Sequence, residues 1–338
     1  MLSRAWLIPN GLKYMLKIEN IRAINMEVSS RCAAACPFCS RSQKVREYGN
    51  HDIRLADFKR LPQTFIAQIN RFSFSGNFGD ICSNPEFVDI IAHIKAVNRD
   101  VVMDGETNGS LQDAEWWRRL GGVFHPASLI FALDGLEDTH SLHRRGTRFH
   151  RVTRNLEAFV SGGGRAYWKF IVFEHNEHQM AAAESLARDL GCSGFLVVSS
   201  REYTPHLRKP KTLDVAIKRD IYHANLDRLS GDERRALCKP FNTGSIYIAA
   251  DGTVHPCCFA HCMYITEHNR DFDYIVPLIE QYRLQINFKT NDMKDIIEGP
   301  YFAAVERQSP SNDYCQLKCN RYRKVVREKL TLYEKRFI

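Results

Sequence analysis

The stretch "IRAINMEVSSRCAAACPFC" (residues 21–39) joins a short β-rich run to three cysteines, Cys32, Cys36 and Cys39. Soft thiolates suit zinc or an iron–sulfur cluster. Structural zinc is usually closed by four ligands, commonly two separated C-x2-C pairs. Ferredoxin-type runs use C-x2-C-x2-C followed by a further cysteine and proline. The C-x3-C-x2-C spacing here fits neither. Three thiolates on a 4Fe–4S cube leave its fourth iron free for an exogenous ligand, and an open position is where chemistry happens.

Working outward, β-rich runs alternate with amphipathic ones from residue 21 to 200. Strands are predicted at 21–29, 71–76, 101–108, 128–135, 166–173 and 194–200. Helix candidates between them include "LADFKRLPQTFIAQI", "PEFVDIIAHIKAV", "FHRVTRNLEAFV" and "HQMAAAESLARDL". Pro85 sits where a first helical turn tolerates proline, and "SGGGR" and Gly191 supply helix stops. Repeated β-then-α units imply a parallel sheet with right-handed crossovers, open and doubly wound or curled into a barrel. Either way, function collects at the carboxyl ends of the strands. The polar stretches "SSRC", "SGNFGD", "TNGS" and "LDGLED" fall there.

The chain's 338 residues suffice for one large domain plus a smaller one. A hydrophobic share of 44% and a charged share of 25% suit a soluble globular protein. No apolar run approaches the length of about eighteen residues that a membrane span needs. The opening stretch, broken by Pro9, Gly11 and Lys13, reads as mature sequence rather than a signal peptide, which predicts a cytoplasmic compartment. The 11 cysteines bunch at 32–39, 238–262 and 315–319, with Cys82 and Cys192 alone. Bunching favours metal or cluster ligation over disulfides. Much of the net charge of +8 lies in "CNRYRKVVREKLTLYEKRF". That stretch is read as a solvated basic terminal helix, with a docking surface for an acidic partner as the sharper alternative. No module known to read nucleic acid is present in the sequence.

"CAAACPFC" resembles the CxxxCxxC signature of the radical S-adenosylmethionine (SAM) enzymes, with the aromatic Phe38 before the last cysteine. The resemblance spans residues 21–200 and implies a partial (β/α)6 TIM-type barrel. In that family the open iron binds the amino and carboxylate groups of SAM. Electron transfer then yields methionine and a 5′-deoxyadenosyl radical, which abstracts a substrate hydrogen. Gly76, Asn77, Gly79 and Asp80 match the family's glycine-rich GGE-like stretch, which receives the SAM amino group; Asp80 stands where glutamate is commoner. Asn108, in "TNGS", resembles the polar end of the third strand. "ALDGLEDTHSLHRRGTRF" resembles the fourth strand and its loop, which implies Asp134 near the ribose and Arg145 at the SAM carboxylate. Asn176 is a further ribose candidate. Asn108 and Asp134 also fit a plain role as turn residues.

Cys238, thirteen residues, Gly252, four residues and Cys257 form a C-x13-G-x4-C pattern that resembles the opening half of SPASM and twitch domains. A β-hairpin is predicted between the cysteines, turning at Asp251-Gly252. The resemblance implies one auxiliary 4Fe–4S cluster closed by Cys315 and Cys319, the one-cluster twitch form. Cys258 or Cys262 remains an alternative ligand, and zinc an alternative metal. The predicted divisions are 1–20 (extension), 21–200 (core), 201–235 (connector), 236–325 (auxiliary domain) and 326–338 (basic tail).

The resemblance implies hydrogen abstraction for oxidation or for peptide or protein modification, on a peptide or small molecule, with electrons from a flavodoxin- or ferredoxin-type donor. No acid or base stands out. Lys169, Glu174, His175, His178, Arg201 and Tyr203 lie near the ends of the fifth and sixth strands. Two rivals are a non-catalytic iron–sulfur carrier or redox-sensing adaptor, and a zinc-stabilised binding protein. "GNFGD" favours the enzyme, since a carrier needs no such loop.

Overall fold

Six short strands carry the architecture: β1 (Ala23–Met26), β2 (Arg71–Phe74), β3 (Val102–Thr107), β4 (Ser128–Ala132), β5 (Arg165–Val172) and β6 (Gly194–Ser199). They lie side by side in chain order and all parallel. This computed structural model describes residues 16–43, 46–215, 238–266, 274–309, 315, 319 and 331–337. The order is that of an unclosed TIM-type barrel, as the alternation predicts.

Burial alternates along the strands because successive side chains point to opposite faces. One face is aromatic and fully buried: Phe74 packs edge-on to Phe87 at 5.0 Å, and Phe131 lies 5.2 Å from Trp117. The other face carries Asn25, Ser73, Asp104, Glu106 and Lys169, none fully buried. A sheet apolar on one side and polar on the other leaves the polar side for a ligand.

The helices depart from expectation in places. "LADFKRLPQTFIAQI" is two pieces, α1 (Leu55–Phe58) and α2 (Gln63–Ala67), because Pro62 cannot donate within a helix and caps the second. Pro85 lies ahead of α3 (Phe87–Val97), whose N-cap is Glu86. Then follow α4 (Ala114–Phe124), α5 (His140–His143), α6 (Phe149–Ser161) and α7 (Met180–Asp189). Asp113 caps α4 by accepting from the Trp116 amide at 2.9 Å.

The C-terminal region opens with α8 (Lys239–Thr243). The predicted hairpin follows as β7 (Ser245–Ile248) and β8 (Val254–His255), with Gly252 at φ +97° in the turn. It does not stand apart: β7 pairs parallel to β1 and extends the sheet. After it come α9 (Cys258–Thr266), α10 (Ile275–Tyr282), α11 (Met293–Ile297) and α12 (Pro300–Gln308). The expected basic terminal helix is corrected at its end, while residues 320–330 lie outside the described residues. Residues 331–336 form β9 (Thr331–Arg336), antiparallel to β6. The β6 edge offers unpaired backbone groups, and "TLYEKR" supplies a strand with a β-branched and an aromatic residue to cover them. The sheet order is β8-β7-β1-β2-β3-β4-β5-β6-β9.

Candidate active site

The chain leaves β1 through Glu27 and enters the cysteine loop at the carboxyl end of the sheet. Arg41 Nη1 donates to the Cys32 carbonyl at 2.8 Å, and its Nη2 also binds the Ala34 carbonyl. The Ala35 amide donates to the Arg145 carbonyl at 2.7 Å, and the Cys39 amide to the Cys36 carbonyl at 3.1 Å. The Arg41 side chain, the Arg145 carbonyl and the hydrogen bond between Cys39 and Cys36 together shape the loop.

Polar groups from neighbouring strands meet the thiols. Asn108 Nδ2 lies 3.2 Å from Cys32 Sγ, and Arg144 Nη1 is 3.8 Å from Cys36 Sγ. Burial pushes Cys32 up to about 12, with Asp80 adding to the rise; Cys36 is also raised. Such thiols ionise against a metal rather than in water. Among the described residues no trio of Cys, His, Asp or Glu converges on a single ion. Three soft thiolates on one loop are the donor chemistry that an iron–sulfur cluster takes.

Asp80 turns inward. Its carboxylate accepts from Thr107 Oγ1 (2.6 Å), the Asn108 amide (2.7 Å), Asn108 Nδ2 (2.8 Å) and the Cys82 amide (3.0 Å). It positions Asn108. Gly79 is required where it stands, because a Cβ there would meet the Ser29 carbonyl oxygen at 1.8 Å. Asn77 Nδ2 reaches across to the Cys258 carbonyl at 2.9 Å.

Asp134 is fully buried at the end of β4. It accepts from His143 Nδ1 (2.7 Å), Arg144 Nε (2.5 Å) and the Ile171 amide (2.7 Å). Burial raises its carboxyl, but Arg144 and His143 outweigh that and hold it well below the usual range. Arg145 is exposed, while its neighbour Arg144 is the arginine that contacts Asp134 and Cys36. Asn176 spends its side chain on the turn after β5, at the Phe173 amide and the Ile171 and Asp134 carbonyls. Phe38 lies 6.3 Å from the His143 ring.

Of the other sequence candidates, Lys169 ion-pairs with Glu106 on the polar face. Burial raises Glu106, but Lys169, Arg144 and Arg201 bring it below its ordinary value. Glu174 turns to Arg208 and Lys211, Tyr203 accepts from the Ser200 amide, and Arg201 and His178 are exposed. His175 stacks on Phe173 at 5.3 Å.

Sequence reasoning missed Glu27. Its Oε1 accepts from the Phe78 and Gly79 amides (2.6 and 2.8 Å), and its Oε2 from Tyr247 Oη (3.0 Å). Burial prevails over those hydrogen bonds and raises it to about 7. A lone carboxylate ending an apolar strand, five residues before Cys32, was the available signal. Glu27 ties the glycine-rich loop to the C-terminal hairpin.

In the second cysteine region, burial raises Cys238 first, and its neighbours Cys319 and Cys315 add to the rise. Cys257 is likewise raised by burial, then by Cys258, Cys238 and Cys319. Each of these thiols therefore feels the charge of others of the set. Tyr274 Oη sits 3.5 Å from Cys315 Sγ. Burial raises the Cys262 thiol, and a side-chain bond to Ser40, next to Cys39, works against that rise.

Two family models match the chain: the radical SAM superfamily over residues 26–186, and an iron–sulfur cluster-binding domain, SPASM, over 238–320. The chain is a radical SAM protein with a C-terminal SPASM domain. This radical SAM protein is an enzyme by that membership, with iron–sulfur clusters and SAM as cofactors. No curated protein matches it. Among solved structures, Streptococcus suis SuiB bound to S-adenosylmethionine is similar at 14% identity and a TM-score of 0.55, covering 91% of this chain and 75% of that one. SuiB bound to its precursor peptide SuiA matches at 13% identity and 0.55, covering 91% and 73%. The anSMEcpe enzyme with bound AdoMet matches at 17% and 0.50, covering 83% and 78%. These likenesses are of fold. Among the described residues no helix is long and apolar enough to cross a membrane.

Proposed function

We propose that this radical SAM protein holds a 4Fe–4S cluster on Cys32, Cys36 and Cys39, and a second on Cys238, Cys257, Cys315 and Cys319. Cluster and SAM together supply reductive cleavage of the sulfonium and a carbon radical that takes a hydrogen atom from substrate. The observation that carries the reading is the meeting of the three-cysteine loop with Asn108 and Arg144, and of Gly79 and Asp80 with the residues that lead into it, Ser29 to Arg31.

The protein's own groups have separable roles. Asn108, fixed by Asp80, donates to the Cys32 sulfur and favours its thiolate. Arg144, fixed by Asp134, places a positive charge beside Cys36. Glu27 and Tyr247 hold the glycine-rich loop in place. The Glu106–Lys169 pair stands on the polar face, where a substrate's polar groups would be read. A peptide or a small molecule fits that chemistry, and SuiB, solved with a precursor peptide, supports the former. The outcome is oxidation or peptide modification.

The test is anaerobic reconstitution, iron counting, and assay of 5′-deoxyadenosine after adding SAM and dithionite. About eight irons per chain are expected from two 4Fe–4S clusters, with 5′-deoxyadenosine formed. Zinc in place of iron, or bound iron with no SAM cleavage while a known radical SAM enzyme works alongside, would overturn the reading.

A further inference from the structure

Four arginines recur at every third residue through the connection into α6: Arg145, Arg148, Arg151 and Arg154. All four are exposed. Other surface arginines do hold carboxylates, as in Arg46–Glu280 at 2.9 Å and Arg119–Asp89 at 3.0 Å. Among the described residues none of these four has a carboxylate partner; Glu137, on the same rim, is taken by His150 at 2.7 Å. Arg148, Arg151 and Arg154, with His140, Thr147 and His150, line an open basin of about 680 Å³. With three arginines against the one carboxylate of Glu137, the basin is net cationic and suits an anionic partner.

Its placement selects the partner. The stripe begins at Arg145, whose carbonyl anchors the cysteine loop by accepting from Ala35. The next residue, Gly146, has φ +84°, and a Cβ there would come 2.7 Å from the Ala33 carbonyl oxygen. The arginine-bearing loop thus rests on the residues between Cys32 and Cys36. At the base of the basin, His140 Nδ1 lies 3.4 Å from the Asp134 amide, and Asp134 holds Arg144 against Cys36. Helix α6 packs Val152, Leu156 and Phe159 into the core and turns its arginines outward. The basin therefore does not open on the polar sheet face of Glu106 and Lys169. It lies beside the cysteine loop and away from where a substrate would be read.

We propose that this arginine stripe is the docking face for an acidic one-electron donor protein of the flavodoxin kind. The inference rests on the function proposed above. For each SAM cleaved the donor is oxidised by one electron, which enters the cluster and then the breaking carbon–sulfur bond. Charges at such a rim set the rate of encounter and its salt dependence rather than the chemistry itself.

The experiment compares 5′-deoxyadenosine formation driven by flavodoxin, reduced by NADPH and its reductase, with formation driven by dithionite. The ratio of the two rates is the readout. In the wild type the flavodoxin-driven rate should fall steeply as ionic strength rises from about 0.01 to about 0.1 M, which shortens the screening length from about 30 to about 10 Å. An Arg151→Glu/Arg154→Glu variant should lose about ten-fold or more of the flavodoxin-driven rate and keep the dithionite rate. The milder Arg151→Gln/Arg154→Gln variant should lower the ratio in the same direction, should the charge reversals disturb folding. An unchanged ratio in both variants overturns the proposal and hands the basin to an acidic substrate. So does a wild type that works with dithionite but not with flavodoxin. No turnover with either reductant overturns the underlying function instead.

Discussion

The two cysteine regions are built on opposite plans. Cys32, Cys36 and Cys39 come from one short loop, already held by Arg41, the Arg145 carbonyl and the seat of Gly146 on Ala33. Their surroundings are polar: Asn108, Arg144, and Asp80 and Asp134 behind them. Cys238, Cys257 and the pair Cys315 and Cys319 come from three separate parts of the sequence, and the aromatic side chains Tyr274 and the fully buried Tyr301 feel their charge. On the proposed ligand sets, the first plan would present a cluster to an exchangeable ligand, and the second would saturate a cluster with four thiolates and let it hold the segments together.

The largest expected effect breaks that comparison outright. Changing Cys32, Cys36 and Cys39 to alanine should remove about half of the iron, four of about eight atoms, and abolish 5′-deoxyadenosine formation, while thermal unfolding shifts little. The reverse pattern is expected of Cys238→Ala. Half of the iron is again lost, but melting falls sharply, because metal binding in a site assembled from distant segments is folding energy. Calorimetry of both variants decides; equal losses of stability would erase the distinction.

Next in size is Asp134→Asn, which leaves Arg144 buried without its counter-charge and should cost about 3–5 kcal/mol. The pH dependence has a definite sign. Asp134 titrates below its unfolded value, so its stabilisation is present above the ordinary carboxylate pKa and is lost as pH falls through the depressed one. The variant should show a flatter acid limb in denaturant titrations.

Glu27 runs the other way. Its carboxyl is raised to about 7, so the folded state holds a proton that the unfolded chain has released, and stability declines as pH rises from about 4.5 to 7. Glu27→Gln should flatten that decline, so that the wild-type advantage at acidic pH disappears by pH 8. A melting curve that keeps the full wild-type slope would exclude Glu27 as its source.

The smallest effect sharpens the link between the two regions. Tyr247→Phe removes one buried hydrogen bond to Glu27, at a cost of about 1 kcal/mol. If the hairpin braces the glycine-rich loop, SAM binding should weaken several-fold while the iron content stays the same. Equilibrium binding of SAM to the reconstituted protein measures it.

Local spacing made much of this legible. The β/α alternation specified parallel strands, since apolar runs bounded by helical patterns have few other ways to bury themselves. The cysteine triplet was readable because its ligands are neighbours in sequence. The extent of the sheet was not. That β7 would lie beside β1 and β9 beside β6 depends on backbone groups at open edges, which leave no mark on composition. Arg145 and Arg144 could not be separated by motif either: which of two adjacent arginines turns inward depends on a buried carboxylate elsewhere, Asp134.

By itself, then, the sequence determined the thiol triplet, its place after the first strand, and the two later cysteines, Cys238 and Cys257, that bracket a hairpin. These are covalent or short-range facts, set by spacing and by the preferences of Gly252 and its neighbours. Only the tertiary structure decided that Asp80 serves Asn108, that Glu27 and Tyr247 join the two halves, and that the loop bearing Arg145 rests on the cysteine loop. The reason is physical. A hydrogen bond or an ion pair depends on distance in space, and residues 27 and 247, or 35 and 145, come within reach of each other only once the sheet has formed.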